Sequence, residues 1–362
     1  MQTKDARVAD VRSDGPAVPH PFVTIIVPLL NGASYLAGCL DHIAALDYPR
    51  RDLEVLVVDG QSSDDGPLLA SRLLRSHGLV GSVISNPGRS ISSNLNVGLG
   101  HARGSVICRV DVKSRMPSNY LRDATALLAE SDTTVWVGGG IVAVATAPTA
   151  IGRGIARAHN NPVVMGGAGY RLRRASGGAE TVYLGTGRAE TLREIGGWGT
   201  DLAMNEDYDL CQRLGGVSSV WFDDRLTAQW LAPASATSLI SRYQGFGRSK
   251  VTYWRSRGTK PAARQTALLV TPALAAGIAA LLTRRHSATA VVRAGALVGI
   301  SALLGIDAAF GPDENTSLRE RSAAALVAAP LIGGGWLSGV VLEIFNRPPA
   351  KPVEQPALVA RP

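Results

Sequence analysis

The sequence predicts an α/β catalytic domain on a mostly parallel sheet, followed by C-terminal transmembrane or membrane-associated helices. Three observations carry this. Short β-branched runs alternate with stretches of helical periodicity from residue 22 to about 140. Acidic residues stand at the ends of several of those runs, where a parallel sheet exposes its carboxyl edge. Beyond residue 260 the chain changes into three apolar stretches of membrane-spanning length.

Residues 1–21 are polar and proline-containing, with no apolar run after their basic residues, so a flexible tail is expected rather than a signal peptide. Strands are expected at 22–28 (FVTIIVP), 53–58, 79–84 and 105–110, and helices at 33–46, 65–76 and 90–102. Strand and helix in strict alternation imply right-handed crossovers, which set the strand C-terminal ends along one edge. From 140 to 257 the pattern is less regular. Gly-rich turns are expected at 138–140, 166–169 and 177–178, strands near 181–184 and 219–222, and helices near 190–195, 206–214 and 236–255. Residues 265–282 and 322–342 are uncharged, and 287–306 carries a single arginine, Arg293. The expected organisation is a tail (1–21), a catalytic domain (22–258), a membrane-associated helical region (259–346) and a second tail (347–362). The alternative for the apolar region is a buried helical subdomain, because Ala and Gly dominate it. Arg255, Arg257, Lys260 and Arg264 before the first stretch favour a catalytic domain on the cytoplasmic face of the cell membrane. Arg284, Arg285 and His286 would face outward after one crossing, which leaves an interfacial or re-entrant hairpin open.

The chain has 362 residues, with 37 Lys+Arg against 29 Asp+Glu. That basic balance suggests anionic ligands or lipid, but it is not gathered into any nucleic-acid motif, so no nucleic-acid partner is expected. Cys39, Cys108 and Cys211 are far apart and odd in number, which excludes a disulfide framework and a structural zinc site. His42, His77, His101 and His159 show no metal-ligand spacing, and neither GxSxG nor a Walker A loop is present.

Three acidic positions carry the chemistry. Asp59 ends a hydrophobic strand and enters a Gly/Ser/Asp turn, where a carboxylate can accept from a base or ribose; capping of the next helix is the plain alternative. Asp111 ends the fourth strand, placed to bind ribose or a divalent cation, Mg²⁺ or Mn²⁺, or else to pair with Lys113 or Arg115 in solvent. Glu206, Asp207 and Asp209 open a helix, as a general base at a pocket edge or as charges favoured by the helix dipole. The stretch 241–250 is basic and lies just before the apolar region; it could neutralise a diphosphate or attract anionic lipid.

The segments VTIIVPLLNGASYLAGCL, DYPRRDLEVLVVDGQSSDDG, LNVGLGHARGSVICRVD and VYLGTGRAETLREIGGWGTDLAMNEDYDLCQRL, in that order, resemble the inverting family 2 glycosyltransferases of the GT-A fold. They are most similar to the membrane-associated branch typified by succinoglycan-biosynthesis glycosyltransferases, over residues 22–250. The resemblance implies transfer of a sugar, with inversion, from a nucleotide-sugar donor to a lipid-linked or polysaccharide acceptor in cell-envelope or exopolysaccharide biosynthesis, with polysaccharide-assembly proteins as partners. It implies Asp207 as catalytic base, with Glu206 and Trp198 on the acceptor side. Pro28, Asn31, Asp59, Asp111 and Lys113 would contact the nucleotide sugar, Asp111 the metal, and Arg242 and Arg248 the diphosphate. Two positions depart from the family pattern. Lys113 stands where a second acidic residue, or in the related branch a His, is common, and Gly245 stands where an Arg is common. Two other readings remain: a non-catalytic nucleotide-sugar-binding scaffold subunit, and a sugar-phosphate nucleotidyltransferase. The latter needs a basic Gly-rich loop that residues 29–35 (LLNGASY) do not supply.

Overall fold

The computed structural model describes residues 20–166, 171, 175–309 and 316–346; most of both expected tails and residues 167–169 of one expected turn lie outside them. The first half follows the expected alternation: β1 (Val23–Leu29), α1 (Ala33–Ala44), β2 (Leu53–Asp59), α2 (Gly66–Ser76), β3 (Gly81–Ser85), α3 (Ile91–His101) and β4 (Val106–Arg109). Every residue of β1 and β2 is buried, as central strands covered on both faces require. β1 lies between β2 and β4, parallel to both. Ile26 accepts from Val110 N–H on the β4 side and Leu29 accepts from Gly60 N–H on the β2 side. Pro28 has the parity of Ile26, so its missing N–H faces beyond the last paired residue of β4, where no ladder bond is lost.

The chain continues through β5 (Ser114–Arg115), α4 (Tyr120–Glu130), β6 (Trp136–Gly139), β7 (Ile141–Val144), α5 (Ala150–His159), β8 (Gly177–Gly178), β9 (Tyr183–Arg188), α6 (Ala189–Glu194), α7 (Glu206–Arg213), β10 (Val220–Phe222), β11 (Ala228–Leu231) and α8 (Ala236–Arg257). The main sheet has the order β3-β2-β1-β4-β9-β6-β10-β8, with β9 antiparallel to both neighbours, and a small sheet has the order β5-β11-β7. Two expected turns are strand: Gly138 and Gly139 belong to β6, and Gly177–Gly178 is β8. Glycine is there for close approach, since a Cβ on Gly139 would overlap the Leu226 backbone and one on Gly178 the Val217 carbonyl. Likewise the strand expected near 181–184 begins at Tyr183 and runs on to Arg188.

The apolar region forms α9 (Ala263–Leu282), α10 (Ala288–Ala309), α11 (Leu318–Ala323) and α12 (Ala329–Phe345), the last two joined by a π-helical turn, Ala324–Ala328. Two of these helical stretches are long and apolar enough to cross a membrane, Ala263–Leu282 and Leu318–Phe345, whereas the apolar part of α10 is shorter. No residue of the first is buried, whereas a third of the second is. α12 lies along α8. Gly247 of α8 meets the Trp336 carbonyl and Val340, and Gly339 meets the Gln244 backbone, so the two helices approach to backbone contact. Arg255 donates to the carbonyls of Glu343 and Ile344 at 3.2 and 3.1 Å, closing the end of α12.

His159 closes the core between α5, α8 and the small sheet. Its ring stands 5.1 Å from that of Trp230 and 5.7 Å from that of Tyr243, and Nδ1 bonds the Ile155 carbonyl at 2.8 Å. Burial, then the charges of Arg171 and Arg242, lower its pKa to about 3. In the unfolded chain the imidazole gains a proton as pH falls through its ordinary value near 6.5, and in the fold it resists. Its contribution is therefore full above that value and lost as pH falls toward 3. Unfolding free energy is expected to drop by about 2 kcal/mol between pH 7 and 5 from this group. In denaturant titrations His159→Phe should flatten that slope; an unchanged slope would contradict the assignment.

Candidate active site

Three loops leave the carboxyl edge of the sheet beside one another, and side chains lace them together. Asn31, in the left-handed region at φ 50°, accepts from the Ser63 amide at 2.8 Å and donates its own amide to Ser62 Oγ at 2.9 Å. Asp64 accepts from the Ala33 amide at 3.0 Å. Asp59 is buried, and both of its oxygens take the Ser62 amide at 3.2 Å. Behind them Asn94 donates to the Leu29 carbonyl at 3.2 Å and accepts from Asn86 at 2.8 Å. Asn31 and Asp59 thus shape one wall, while Pro28 is buried within β1, one residue before the strand ends.

The centre of the site is a guanidinium. Arg109, at the end of β4 and 7% exposed, donates from Nε to Asp111 at 2.9 Å and from Nη2 to Glu206 at 2.8 Å. Asp111 therefore pairs with neither Lys113 nor Arg115, the partners its position in the sequence suggested. The carboxylates of Asp111, Glu206 and Asp207 hold the arginine's proton against burial, and its pKa lies well above the usual range. Glu206 is pushed up by burial, with Asp207 and Asp111 adding to that shift and Arg109 opposing it. Bonds to two carboxylates, one of them 97 residues along the chain, make Arg109 the main residue of the site that sequence reasoning missed. The available signal was a charged residue inside an otherwise apolar strand.

The three acids that open α7 divide their work. Asn205, left-handed at φ 67°, turns the chain into the helix. Asp209 is buried between Arg213 Nε at 2.9 Å and Arg257 Nε at 2.7 Å, a structural brace. Glu206 goes to Arg109. Asp207 accepts the neighbouring Tyr208 amide at 2.7 Å and lines a concave pocket with Arg109, Asp111, Gly185 and Trp198. Trp198, expected as an acceptor-side contact, is buried beneath the pocket; the Asn96 amide grips its N–H and carbonyl at 2.8 Å each, and its ring meets Trp136 edge-on. The Trp136 indole in turn occupies the space of absent side chains on Gly185 and Gly187. Leu184, also lining the pocket, is left-handed at φ 48°, and its carbonyl takes the Tyr120 hydroxyl, a strained conformation of the kind that gathers at functional sites.

On the opposite wall the Lys113 ammonium stands 4.6 Å from the Tyr35 ring centroid, and burial followed by the charge of Arg242 lowers its pKa. Arg242 lies over Trp230 and Phe246, at 4.8 and 5.1 Å. Arg248 is exposed. Six residues apart on α8, the two arginines point about 120° apart, so the structure brings Arg242 and Lys113 together and leaves Arg248 out. For a divalent cation the donor set is sparse. Among the described residues no group of three or more His, Cys, Asp or Glu could hold one. A magnesium-like ion can, however, be held by one or two carboxylates plus substrate phosphates, and Asp111 fits that role alone. All three cysteines are buried, with thiols pushed up to about 12 by burial, inert as expected.

Removing the guanidinium strands two carboxylates. Arg109→Met is expected to cost about 3–5 kcal/mol, read from unfolding of the solubilised protein, and adding Glu206→Gln should recover part of the loss. Equal losses in the single and double variants would contradict the bridge.

Comparison with known proteins agrees with this geometry. Residues 24–167 match the profile of Glycosyl transferase family 2. The succinoglycan biosynthesis protein ExoA of Rhizobium meliloti is 26% identical over 261 residues, 70% of this chain and 76% of that protein. Glycosyltransferase AglE of Haloferax volcanii is 28% identical over 91 residues, covering 25% of this chain and 30% of its own length. Among solved structures, the fold is similar to that of the mannosyltransferase PcManGT from Pyrobaculum calidifontis, solved with GDP-Man and Mn²⁺. The TM-score is 0.60 and the identity 20%, over 91% of this chain and 89% of that one. With its strand-end carboxylates on the sheet edge and its acidic helix facing them, the chain has a GT-A-like fold and resembles the family 2 glycosyltransferases, whose profile its residues 24–167 match.

Proposed function

We propose that the protein transfers a sugar, with inversion, from a nucleotide-sugar donor to a lipid-linked or polysaccharide acceptor, as a step in assembling a cell-envelope or exported polysaccharide. The observation that carries this is the single pocket in which Asp207, from the acidic helix, faces Asp111 and Arg109, from the strand end. A sugar hydroxyl is a poor nucleophile, and a positioned carboxylate removes its proton as it attacks the anomeric carbon. Asp207 is the member of the acidic trio left uncommitted to an arginine, and so takes that role. Attack opposite the departing diphosphate inverts the anomeric centre. Charge develops toward an oxocarbenium ion on the sugar and accumulates on the leaving group.

Lys113 and Arg242 stand where they can neutralise that leaving group, while Asn31 and Asp59 form the wall for the nucleoside. Asp111 would hold a Mg²⁺ or Mn²⁺ ion, which when bound supplies positive charge to the phosphate oxygens. Glu206, tied to Arg109, shapes the acceptor side. Residues 22–258 are the catalytic domain and 259–346 its membrane-associated region. The basic residues ahead of α9 support a cytoplasmic catalytic domain. The likeness to ExoA, whose name assigns it to succinoglycan biosynthesis, supports a polysaccharide acceptor.

The test is nucleotide release from a panel of nucleotide sugars, in membranes containing native lipids, with EDTA, Mg²⁺ or Mn²⁺. Asp207→Asn should lower turnover by about 10²–10⁴-fold while donor binding persists. Donor binding with no release, the same in wild type and variant, would favour the scaffold reading. EDTA should abolish release if Asp111 works through a metal; EDTA-insensitive release would assign the diphosphate to Lys113 and Arg242.

A further inference from the structure

Gly245, a departure from the family pattern that the chemistry above does not use, lies on the face of α8 that meets the start of the acidic helix. A Cβ there would stand 3.0 Å from Cε and 3.1 Å from Sδ of Met204, so the Met204 side chain covers the place where an arginine would begin. One turn on, Ser249 is 5% exposed, and its hydroxyl meets the same residue twice. It accepts from the Met204 amide at 2.9 Å and donates to the Met204 carbonyl at 2.8 Å. Positions four apart on a helix share a face. α8 therefore holds Met204 by its thioether at one point and by both backbone groups at the other. Gly247 lies about 160° around the same helix from both positions, where it meets the backbone of α12.

The turn lacks a cap of its own. Met204 leads into Asn205, left-handed at φ 67°, whose side chain caps no amide of α7. A non-glycine residue in that region is held by its surroundings rather than by its own preference. α7 is eight residues long, too short to be stable alone. Farther along, Arg257 ties α8 to Asp209 at 2.7 Å, but Asp209 follows Asp207, and the entry to the helix is left to Met204. The Asp207 carboxylate accepts from the amide of its own neighbour, Tyr208, so its place in the pocket follows the turn. We propose that Ser249 and Gly245 are positioning residues: they form a socket for Met204 that sets where Asp207 stands, and an arginine at 245 is incompatible with that socket. This rests on the reading of Asp207 as the base, and it deepens that reading by assigning position 245 to the placement of the base rather than to the diphosphate.

The test joins turnover to backbone hydrogen exchange, on the full chain in nanodiscs, with UDP and GDP as binding probes. Ser249→Ala should lower nucleotide release about tenfold or more through kcat, with UDP and GDP affinities within about twofold of wild type. The amides of residues 204–209 should exchange faster in that variant. Gly245→Arg should lower kcat as well, with no gain in UDP or GDP affinity. Combining Met204→Ala with Gly245→Leu should cost less than the product of the two single losses, because the residues are in contact. Unchanged kcat in Ser249→Ala would overturn the positioning role and leave the transferase reading intact. Tighter UDP or GDP binding in Gly245→Arg would return position 245 to the diphosphate and overturn the assignment. Losses that simply multiply in the Met204 and Gly245 variants would overturn the socket. No release by wild type from any donor would refute the transferase reading, and the exchange rates and nucleotide affinities would still decide the socket.

Discussion

A buried guanidinium joins the two halves of the site. Arg109 ends the fourth strand of the parallel sheet, and Glu206 opens a helix that arrives nearly a hundred residues later; their bond at 2.8 Å fixes one against the other. The same group holds Asp111 at 2.9 Å, so Asp111 and the helix that carries Asp207 share a single charge. Gathering three acids around one pocket is unfavourable, and the arginine compensates two of them. Asp207 is left to the pocket. What looks like a strand-end salt bridge is therefore the element that keeps the strand end and the acidic helix in register.

The acidic helix is tied to the apolar region through α8. The hydroxyl of Ser249 bonds both the amide and the carbonyl of Met204, at 2.9 and 2.8 Å, immediately before Asn205 turns the chain into Glu206 and Asp207. Two residues earlier on α8, Gly247 admits the backbone of α12. Arg257, at the end of α8, braces Asp209 and Asp201. One helix thus touches the loop before the base, the acidic helix itself and an apolar segment long enough to span a bilayer. Whatever holds α12 therefore also bears on the position of Asp207.

The parallel half of the fold was legible because its signals are local. Seven-residue apolar runs, helical spacing and Gly/Ser/Asp turns at residues 60–66 each follow from nearest-neighbour rules. Asp59, Asp111 and Asp207 were legible for the same reason, standing at ends of elements. The region from 130 to 190 was not. β6 is a short strand ending in two glycines, and β9 pairs antiparallel with strands distant in sequence, so both depend on tertiary contacts that no window contains. Trp136 shows why: its indole takes the room left by Gly185 and Gly187, a packing that makes glycine-rich sequence into strand. Arg109 was missed because its meaning lies in a partner far along the chain. The apolar stretch from 322 read as a lipid-facing helix, and only its glycines, spaced to meet α8, hinted at packing.

The central claim is that Asp207 drives a single in-line displacement at the anomeric carbon. Proton NMR of the glycoside formed in the first minutes of reaction, before any mutarotation of released sugar, tests it directly. The account predicts a product whose anomeric configuration is opposite to that of the donor. Retention of the donor's configuration would require two displacements or a different nucleophile, and would contradict it.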